Sequence, residues 1–208
     1  MIPPDVLFVF VAACVALALA PGPDNIFVLT QAALSGRMAG VLVTLGLVTG
    51  VLVHTMLVAL GVAVIFQTSQ TAFTLLKIAG AAYLLWLAWK SFRAGATDVS
   101  GAGSDRLPAA RLYGRGVIMN LTNPKVAIFF LAFLPQFADP ARGSVTAQIF
   151  LFGLVFGLCA LVIFSAVAWA AGFLGQWLGQ SPGAQVALNR IAGVVFAGLA
   201  LRLLMSQR

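Results

Sequence analysis

Charged residues are scarce in this chain, and acidic ones are the scarcest. The 208 residues include five aspartates and no glutamate, and only 8% of all residues are charged. The apolar share of 62% is far above that of a soluble domain, so the composition indicates a protein of the lipid bilayer. The 12 basic residues lie mainly between or beside apolar segments, where they orient membrane helices. This placement argues against a nucleic-acid partner.

Histidine and cysteine are almost absent. His54 is the sole histidine, and Cys14 and Cys159 stand alone in different apolar segments. Two isolated cysteines make neither a metal-binding pair nor a disulfide framework, so we interpret both as packing residues. A single histidine, with no HExxH motif and no paired carboxylates, leaves few groups for acid–base catalysis. We therefore predict that the protein is not an enzyme, and no motif indicates a cofactor.

Long apolar stretches dominate what is present. A membrane-spanning helix needs about 20 apolar residues, and six candidate stretches occur. They are Val6 to Leu34 with an interruption, Ala39 to Phe66, Ala72 to Phe92, Gly114 to Phe137 with an interruption, Val145 to Leu174, and Ala184 to Met205. The first begins after Pro3-Pro4-Asp5 rather than after basic residues, so we interpret it as a span and not as a signal peptide. The sequence predicts an all-α integral membrane protein with six transmembrane helices.

Two short motifs recur in the same order and predict an internal repeat. The run from Gly46 to Gly50 is matched by the run from Gly153 to Gly157, and Lys77 to Gly80 is matched by Arg190 to Gly193. We expect residues 1–93 and 113–208 to form two three-helix repeats. Because each has an odd number of spans, the halves are inverted relative to each other, as in many secondary transporters. The paired glycines predict close helix packing and permit a homodimer.

Residues 94–112 form the only sizeable polar stretch, which we interpret as a central loop. Basic residues cluster in this loop and its flanks, whereas the connection from Gln67 to Thr71 has none. The basic residues of the cluster are Lys90, Arg93, Arg106, Arg111 and Arg115. The positive-inside rule therefore predicts that the loop is cytoplasmic and that both termini are on the outer, periplasmic side.

Proline interrupts two of the six predicted spans. The first break is Pro21-Gly22-Pro23-Asp24-Asn25, and the second is Asn120-Leu121-Thr122-Asn123-Pro124-Lys125. The apolar run before the first break reaches only about 22 Å as a helix, short of a hydrocarbon core of about 30 Å, so this break lies within the membrane. Pro23 suits the first position of a helix, and Asn123 suits an N-cap with Pro124 at the first position. Both breaks predict the start of a half-helix.

Half-helix starts at membrane depth suit a zwitterionic ligand. Unpaired N–H groups bind anions, and the freed carbonyls of the preceding half-helix take a cation or an ammonium. Asp24 is the candidate for binding an α-ammonium or a coupling proton, and Lys125 either binds a carboxylate or pairs with Asp24. The complete candidate substrate site comprises Pro21, Gly22, Pro23, Asp24, Asn25, Asn120, Asn123, Pro124 and Lys125.

Other interpretations of these residues stay open. Asp24 could merely stabilise a helix N-terminus, and Lys125 could extend to the membrane interface. Buried aspartate and asparagine oxygens also suit hard cations, which makes a metal-ion or small-cation carrier the alternative function. His54 could relay protons, but it has no sequence neighbours that would make it a metal ligand.

Three segments resemble the lysine exporter (LysE) family, in particular its homoserine/threonine resistance (RhtB) branch. They are the Pro21–Asn25 motif, the run from Lys77 to Ala88, and the second break continuing into Phe129–Phe137. The likeness covers nearly the whole chain. It implies export of amino acids or close derivatives across the bacterial inner membrane by proton antiport. Because few acids are available to compensate a second positive charge, we expect neutral substrates, such as homoserine, threonine or a leucine-like amino acid.

Overall fold

The computed structural model describes residues 2–20, 22–68, 70–95, 107–171, 173 and 181–205. These residues form eight α-helices and no strand, which confirms the all-α prediction. The helices are α1 (Pro4–Leu19), α2 (Pro23–Ser35), α3 (Arg37–Thr68), α4 (Gln70–Arg93), α5 (Ala109–Thr122), α6 (Pro124–Ile128), α7 (Val145–Trp169) and α8 (Pro182–Met205). Pro21 and most of the predicted central loop, residues 96–106, lie outside the described residues.

Most of the predicted spans have a helical counterpart of sufficient length. Within the described residues, Arg37–Gly61, Val145–Trp169 and Pro182–Met205 are long and apolar enough to cross a membrane. Two bent pairs, α1 with α2 and α5 with Pro124–Phe137, raise the number to five if each pair is one span. Helix α4 occupies the position of the third predicted span. The six-span count and the inverted repeat stay predictions.

Both interruptions produce the predicted half-helix starts. Gly22 is the N-cap of α2 and Pro23 follows it, and the axes of α1 and α2 differ by 60°. Asn123 is the N-cap of α6, where its side chain accepts a hydrogen bond from the Lys125 main-chain nitrogen, and the bend here is 51°. Proline ends each preceding helix because it lacks an N–H donor and its ring clashes with the preceding turn.

The second broken span is more irregular than its sequence predicts. Helix α6 has only five residues and continues into a π-helix over Phe129–Phe133 and a 3-10 helix over Leu134–Phe137. Its first half begins at Ala109, within the predicted central loop, because Pro108 is well suited to a helix start. A π-helical turn inside an α-helix is rare and often marks a functional region.

The predicted glycine packing is found at Gly46, Gly50 and Gly153, between α3 and its neighbours α5 and α7, whereas Gly157 makes only ordinary contacts. A Cβ atom added at Gly46 would collide with the Tyr113 carbonyl oxygen and Gly116, and one at Gly153 would collide with the Thr55 side chain. Glycine therefore allows the backbones to approach closely, which matters because no hydrophobic force drives helices together in lipid.

A cluster of buried phenylalanines fixes the second break relative to α1 and α7. Phe10 of α1 lies 4.6 Å from Phe152 of α7 and 6.2 Å from Phe129, measured between ring centroids. Phe129 and Phe130 lie 5.3 Å and 5.1 Å from Phe156 of α7. Aromatic pairs at such distances contribute about 0.5–1.5 kcal/mol each beyond the burial of their surface. The cluster thus positions the residues that follow Lys125.

Candidate functional site at the two helix breaks

The two breaks meet inside the protein, and each presents one charged residue. Asp24 directly follows Pro23 at the start of α2, and Lys125 directly follows Pro124 at the start of α6. Both side chains are buried, with only 3% of Asp24 and 8% of Lys125 exposed. Burial of a charge is costly unless the charge is hydrogen-bonded or paired, so the partners of these two groups define the site.

Asn123 connects the second break to Asp24. Its Nδ2 donates a hydrogen bond to Asp24 Oδ2 at 2.9 Å, while its Oδ1 accepts one from the Lys125 main-chain nitrogen at 3.0 Å. The same amide therefore caps α6 and holds the carboxylate of α2. This geometry orients the amide, because the oxygen must face the N–H group and the nitrogen must face the carboxylate.

Lys125 crosses to the first break. Its Nζ donates hydrogen bonds to the main-chain carbonyls of Leu17 and Ala20, each at 3.1 Å. Carbonyls at the end of an α-helix lack partners within the helix and carry the negative end of its dipole, so they favour a positive charge. The freed carbonyls thus bind an ammonium, as predicted, but the ammonium belongs to the chain itself. Lys125 is buried rather than extended to the surface, and the structure places no ion pair between Lys125 and Asp24.

Gly22 and Asn25, both at the first break, help Lys125 to reach the end of α1. A Cβ atom at Gly22 would lie 3.1 Å from Lys125 Nζ, so the absence of a side chain there gives the ammonium room. Asn25 Nδ2 donates to the Ala18 carbonyl at 2.7 Å and ties the start of α2 to the end of α1. Three carbonyls at the end of α1, those of Leu17, Ala18 and Ala20, therefore accept hydrogen bonds from side chains of the two broken spans.

Several buried acceptor atoms at the breaks have no hydrogen-bond donor. They include Asp24 Oδ1, Asn25 Oδ1 and Asn120 Oδ1. A buried polar atom left without a partner costs about 1–3 kcal/mol, so such acceptors favour the binding of a donor. Asp24 and Asn120 also line one small cavity together with Lys125.

This cavity is too small for an amino acid. Its volume is about 10 Å³, which is close to the space that a single water molecule occupies. Its remaining walls are apolar side chains of α1, α3, α6 and α7: Leu17, Ala18, Leu47, Val51, Val126, Phe156, Ala160 and Phe164. An amino acid needs more room than this, so helices or side chains must move before one can enter.

His54 supports the second break from the side of α3. Its Nε2 donates to the Asn120 main-chain carbonyl at 3.3 Å, and its ring stacks on Phe130 with 5.7 Å between centroids. Gly50, one turn earlier, faces the Asn120 side chain, since an added Cβ would lie 2.7 Å from it. The sequence placed Gly50 and His54 on one face of a helix, because they are four residues apart. It did not indicate that both face Asn120.

A second, larger cavity lies elsewhere and is less suited to a zwitterion. It measures about 270 Å³ and is lined by Phe133, Gln136, Phe137, Arg202, Leu203 and Met205. Arg202 stacks over the Phe137 ring at 5.1 Å. No carboxylate occurs among these described lining residues to bind an ammonium. Nowhere in the described ranges do three or more His, Cys, Asp or Glu side chains come together as metal ligands.

Comparison with known proteins identifies the family and the relatives of this chain. A family model described as "LysE type translocator" matches residues 15–207. The homoserine/homoserine lactone efflux protein of Salmonella typhimurium is 34% identical over 190 residues, which are 91% of this chain and 91% of that protein. The leucine efflux protein of Salmonella choleraesuis is 27% identical over 195 residues, 93% of this chain and 92% of the relative. No solved structure matches.

Proposed function

The chain belongs to the LysE type translocator family, and on this premise we propose that it exports neutral amino acids across the bacterial inner membrane in exchange for protons. Its relatives are named efflux proteins, so the protein is a transporter and not an enzyme. The substrate site that we propose lies between the two helix breaks.

The observation that carries the proposal is the matching of donors and acceptors at the small cavity between the two breaks. Asp24 Oδ1 and Asn120 Oδ1 are acceptors without a donor, and they suit an α-ammonium. Lys125 has three N–H donors, of which two bind Leu17 and Ala20, so the third is available to a carboxylate. An α-amino acid carries the two complementary groups within about one bond length of a shared carbon.

Neutral substrates fit the charges at the site. Asp24 and Lys125 cancel each other, and a zwitterion leaves the sum at zero. The relatives' names specify homoserine and leucine, which are zwitterions of different side-chain polarity, and homoserine lactone, which has no free carboxylate. Fold and family do not select among such substrates. We therefore propose neutral amino acids as the substrate class, and transport measurements have to identify the preferred side chain.

Transport requires the two broken spans to separate and rejoin. The contacts of the helices are consistent with two related halves: α3 packs on α7, α4 packs on α8, α1 and α2 lie against α7, and α5 lies against α3. We propose that residues 1–93 and 113–208 are inverted repeats that rock around the midplane site. The central loop, 94–112, is cytoplasmic and both termini are periplasmic in this proposal.

Proton coupling follows from the chemistry of Asp24. An amino acid enters from the cytoplasm and binds through its ammonium to the Asp24 carboxylate. A proton arriving from outside neutralises the carboxylate, weakens its hold on the ammonium and travels inward on the return step. Such coupling works only because proton and substrate bind the two orientations of the carrier with different affinities.

Counterflow in liposomes tests the proposal. Purified protein is reconstituted into liposomes that contain unlabelled amino acid. Uptake of labelled homoserine, threonine and leucine is then measured with and without an imposed pH gradient. We expect uptake of at least one of these to exceed that of protein-free liposomes and to respond to the gradient. Net uptake into liposomes without internal amino acid that ignores the gradient would contradict proton antiport, because only net transport has to move a proton. Transport of a divalent cation without any amino acid would favour the alternative carrier.

A further inference from the structure

We infer that Lys125 determines the charge of the substrate, because its ammonium occupies the carbonyl site at the end of α1 and excludes amino acids with a cationic side chain. This inference rests on the proposed function and specifies its substrate class. It assigns Lys125 a role in specificity in addition to any contact with a substrate carboxylate.

The first step is the nature of the carbonyl site. The oxygens of Leu17 and Ala20 converge on one nitrogen at 3.1 Å each, at a helix end where positive charge is favoured. Nothing in this pair of oxygens is specific for lysine, since any ammonium can donate to them. Lys125 is its occupant because the chain attaches it nearby and Gly22 leaves space for Nζ.

The second step is the charge balance of the cavity. Among its described lining residues, Asp24 and Lys125 are the charged ones. Elsewhere, Asp5 lies in the exposed first turn of α1, and Asp139 pairs with Arg142 at 2.8 Å on the surface. A substrate with a second ammonium would therefore bring one positive charge into the cavity, beside an ammonium already present and with no further acid among the described lining residues.

The third step is the effect of removing the Lys125 charge. Lys125→Met keeps an unbranched side chain of similar length but leaves the Leu17 and Ala20 oxygens without a donor. A substrate's side-chain ammonium then supplies both the missing charge and the missing hydrogen bonds. The variant should accept cationic amino acids that the parent protein rejects.

Homoserine and 2,4-diaminobutyrate provide the matched test, since they differ only by a hydroxyl group in place of an ammonium on a side chain of equal length. In counterflow we expect the parent protein to prefer homoserine by about 100-fold, as for an uncompensated charge at membrane depth. Lys125→Met should reduce this preference to less than about tenfold. Lys125→Arg keeps the charge and should keep the preference.

Two further variants complete the design. Lys90→Met removes an exposed lysine at the end of α4, where its ammonium lies over Trp86, and should leave the preference unchanged. Lys125→Gln retains an amide N–H donor for the carbonyls without the charge, so it serves if Lys125→Met does not fold. If Lys125→Met and Lys125→Gln both fold but do not transport, the preference for homoserine over 2,4-diaminobutyrate is measured instead as the difference in the melting-temperature shifts that the two ligands cause in detergent.

The outcomes separate the two proposals. Equal competition by the two ligands in the parent protein would overturn the role of Lys125 without any variant, while leaving amino-acid export intact. An unchanged preference in a folded neutral variant would also overturn it. Absence of any amino-acid exchange by the folded parent protein would instead refute the proposed function.

Discussion

Asn123 Nδ2 donates a hydrogen bond to Asp24 Oδ2 at 2.9 Å and so joins two residues that are 99 positions apart. Lys125 makes a second link from the same break, to the carbonyl end of α1. The second broken span is therefore bonded to both halves of the first, to α2 through Asn123 and to α1 through Lys125. A movement that opens the cavity between them has to lengthen or break at least one of these links.

Asp24→Asn should abolish gradient-driven export while the protein still inserts and folds. The amide cannot exchange a proton, and it replaces the carboxylate that holds the ammonium. The measurement is uptake of labelled amino acid with and without a pH gradient. Asp139→Asn is the control, because that aspartate is exposed and pairs with Arg142. Normal gradient-dependent export by Asp24→Asn would contradict its coupling role.

Substitutions of Asn123 should separate its two functions. Asn123→Asp keeps an N-cap acceptor for α6 but removes the donor to Asp24 and places two carboxylates together, so we expect loss of transport with α6 intact. Asn123→Ala also removes the cap and should lower the free energy of unfolding by a further amount of about 0.5–2 kcal/mol. Transport and thermal unfolding in detergent are measured for both. Full transport by Asn123→Asp would show that the link to Asp24 is dispensable.

Gly22→Ala should weaken transport more than it weakens folding. The new Cβ would lie 3.1 Å from Lys125 Nζ, and the flexible lysine can shift away only by lengthening its bonds to the α1 carbonyls. The backbone itself tolerates alanine, because φ at Gly22 is −168°. Gly198→Ala is the control, since no described atom lies within 4 Å of its Cβ position. Equal transport rates for the two variants would argue against a precise position for the ammonium.

Gly46→Ala should destabilise the protein, whereas Gly61→Ala in the same helix should not. At Gly46 the added methyl would collide with the Tyr113 carbonyl oxygen, which belongs to rigid backbone. Overpacking of this kind costs about 1–3 kcal/mol. At Gly61 the described structure leaves open space, and alanine favours the helix by roughly 0.5–1 kcal/mol. Thermal unfolding in detergent compares the two, and a similar melting temperature for both would contradict close packing of α3 on α5.

Local features of the fold were readable from the sequence. Proline positions predicted both half-helix starts, including Asn123 as an N-cap, because proline and capping residues act on their own backbone neighbourhood. Gly46 and Gly153 predicted close packing for a similar reason, since a missing side chain has a steric meaning in any membrane helix. The π-helix over Phe129–Phe133 had no such signal, because its residues include neither proline nor a capping residue.

By itself, the sequence determined that the chain is helical, that it belongs in a membrane, and that Asp24 and Lys125 follow two matched breaks. Only the tertiary structure decided which partners these charges have. Lys125 binds the carbonyl oxygens of Leu17 and Ala20. The sequence predicted that the first break frees carbonyls for an ammonium, but not that the ammonium is that of Lys125, which lies more than 100 residues away along the chain. Asp24 binds Asn123 because helix packing brings distant segments together, and His54 reaches Asn120 for the same physical reason.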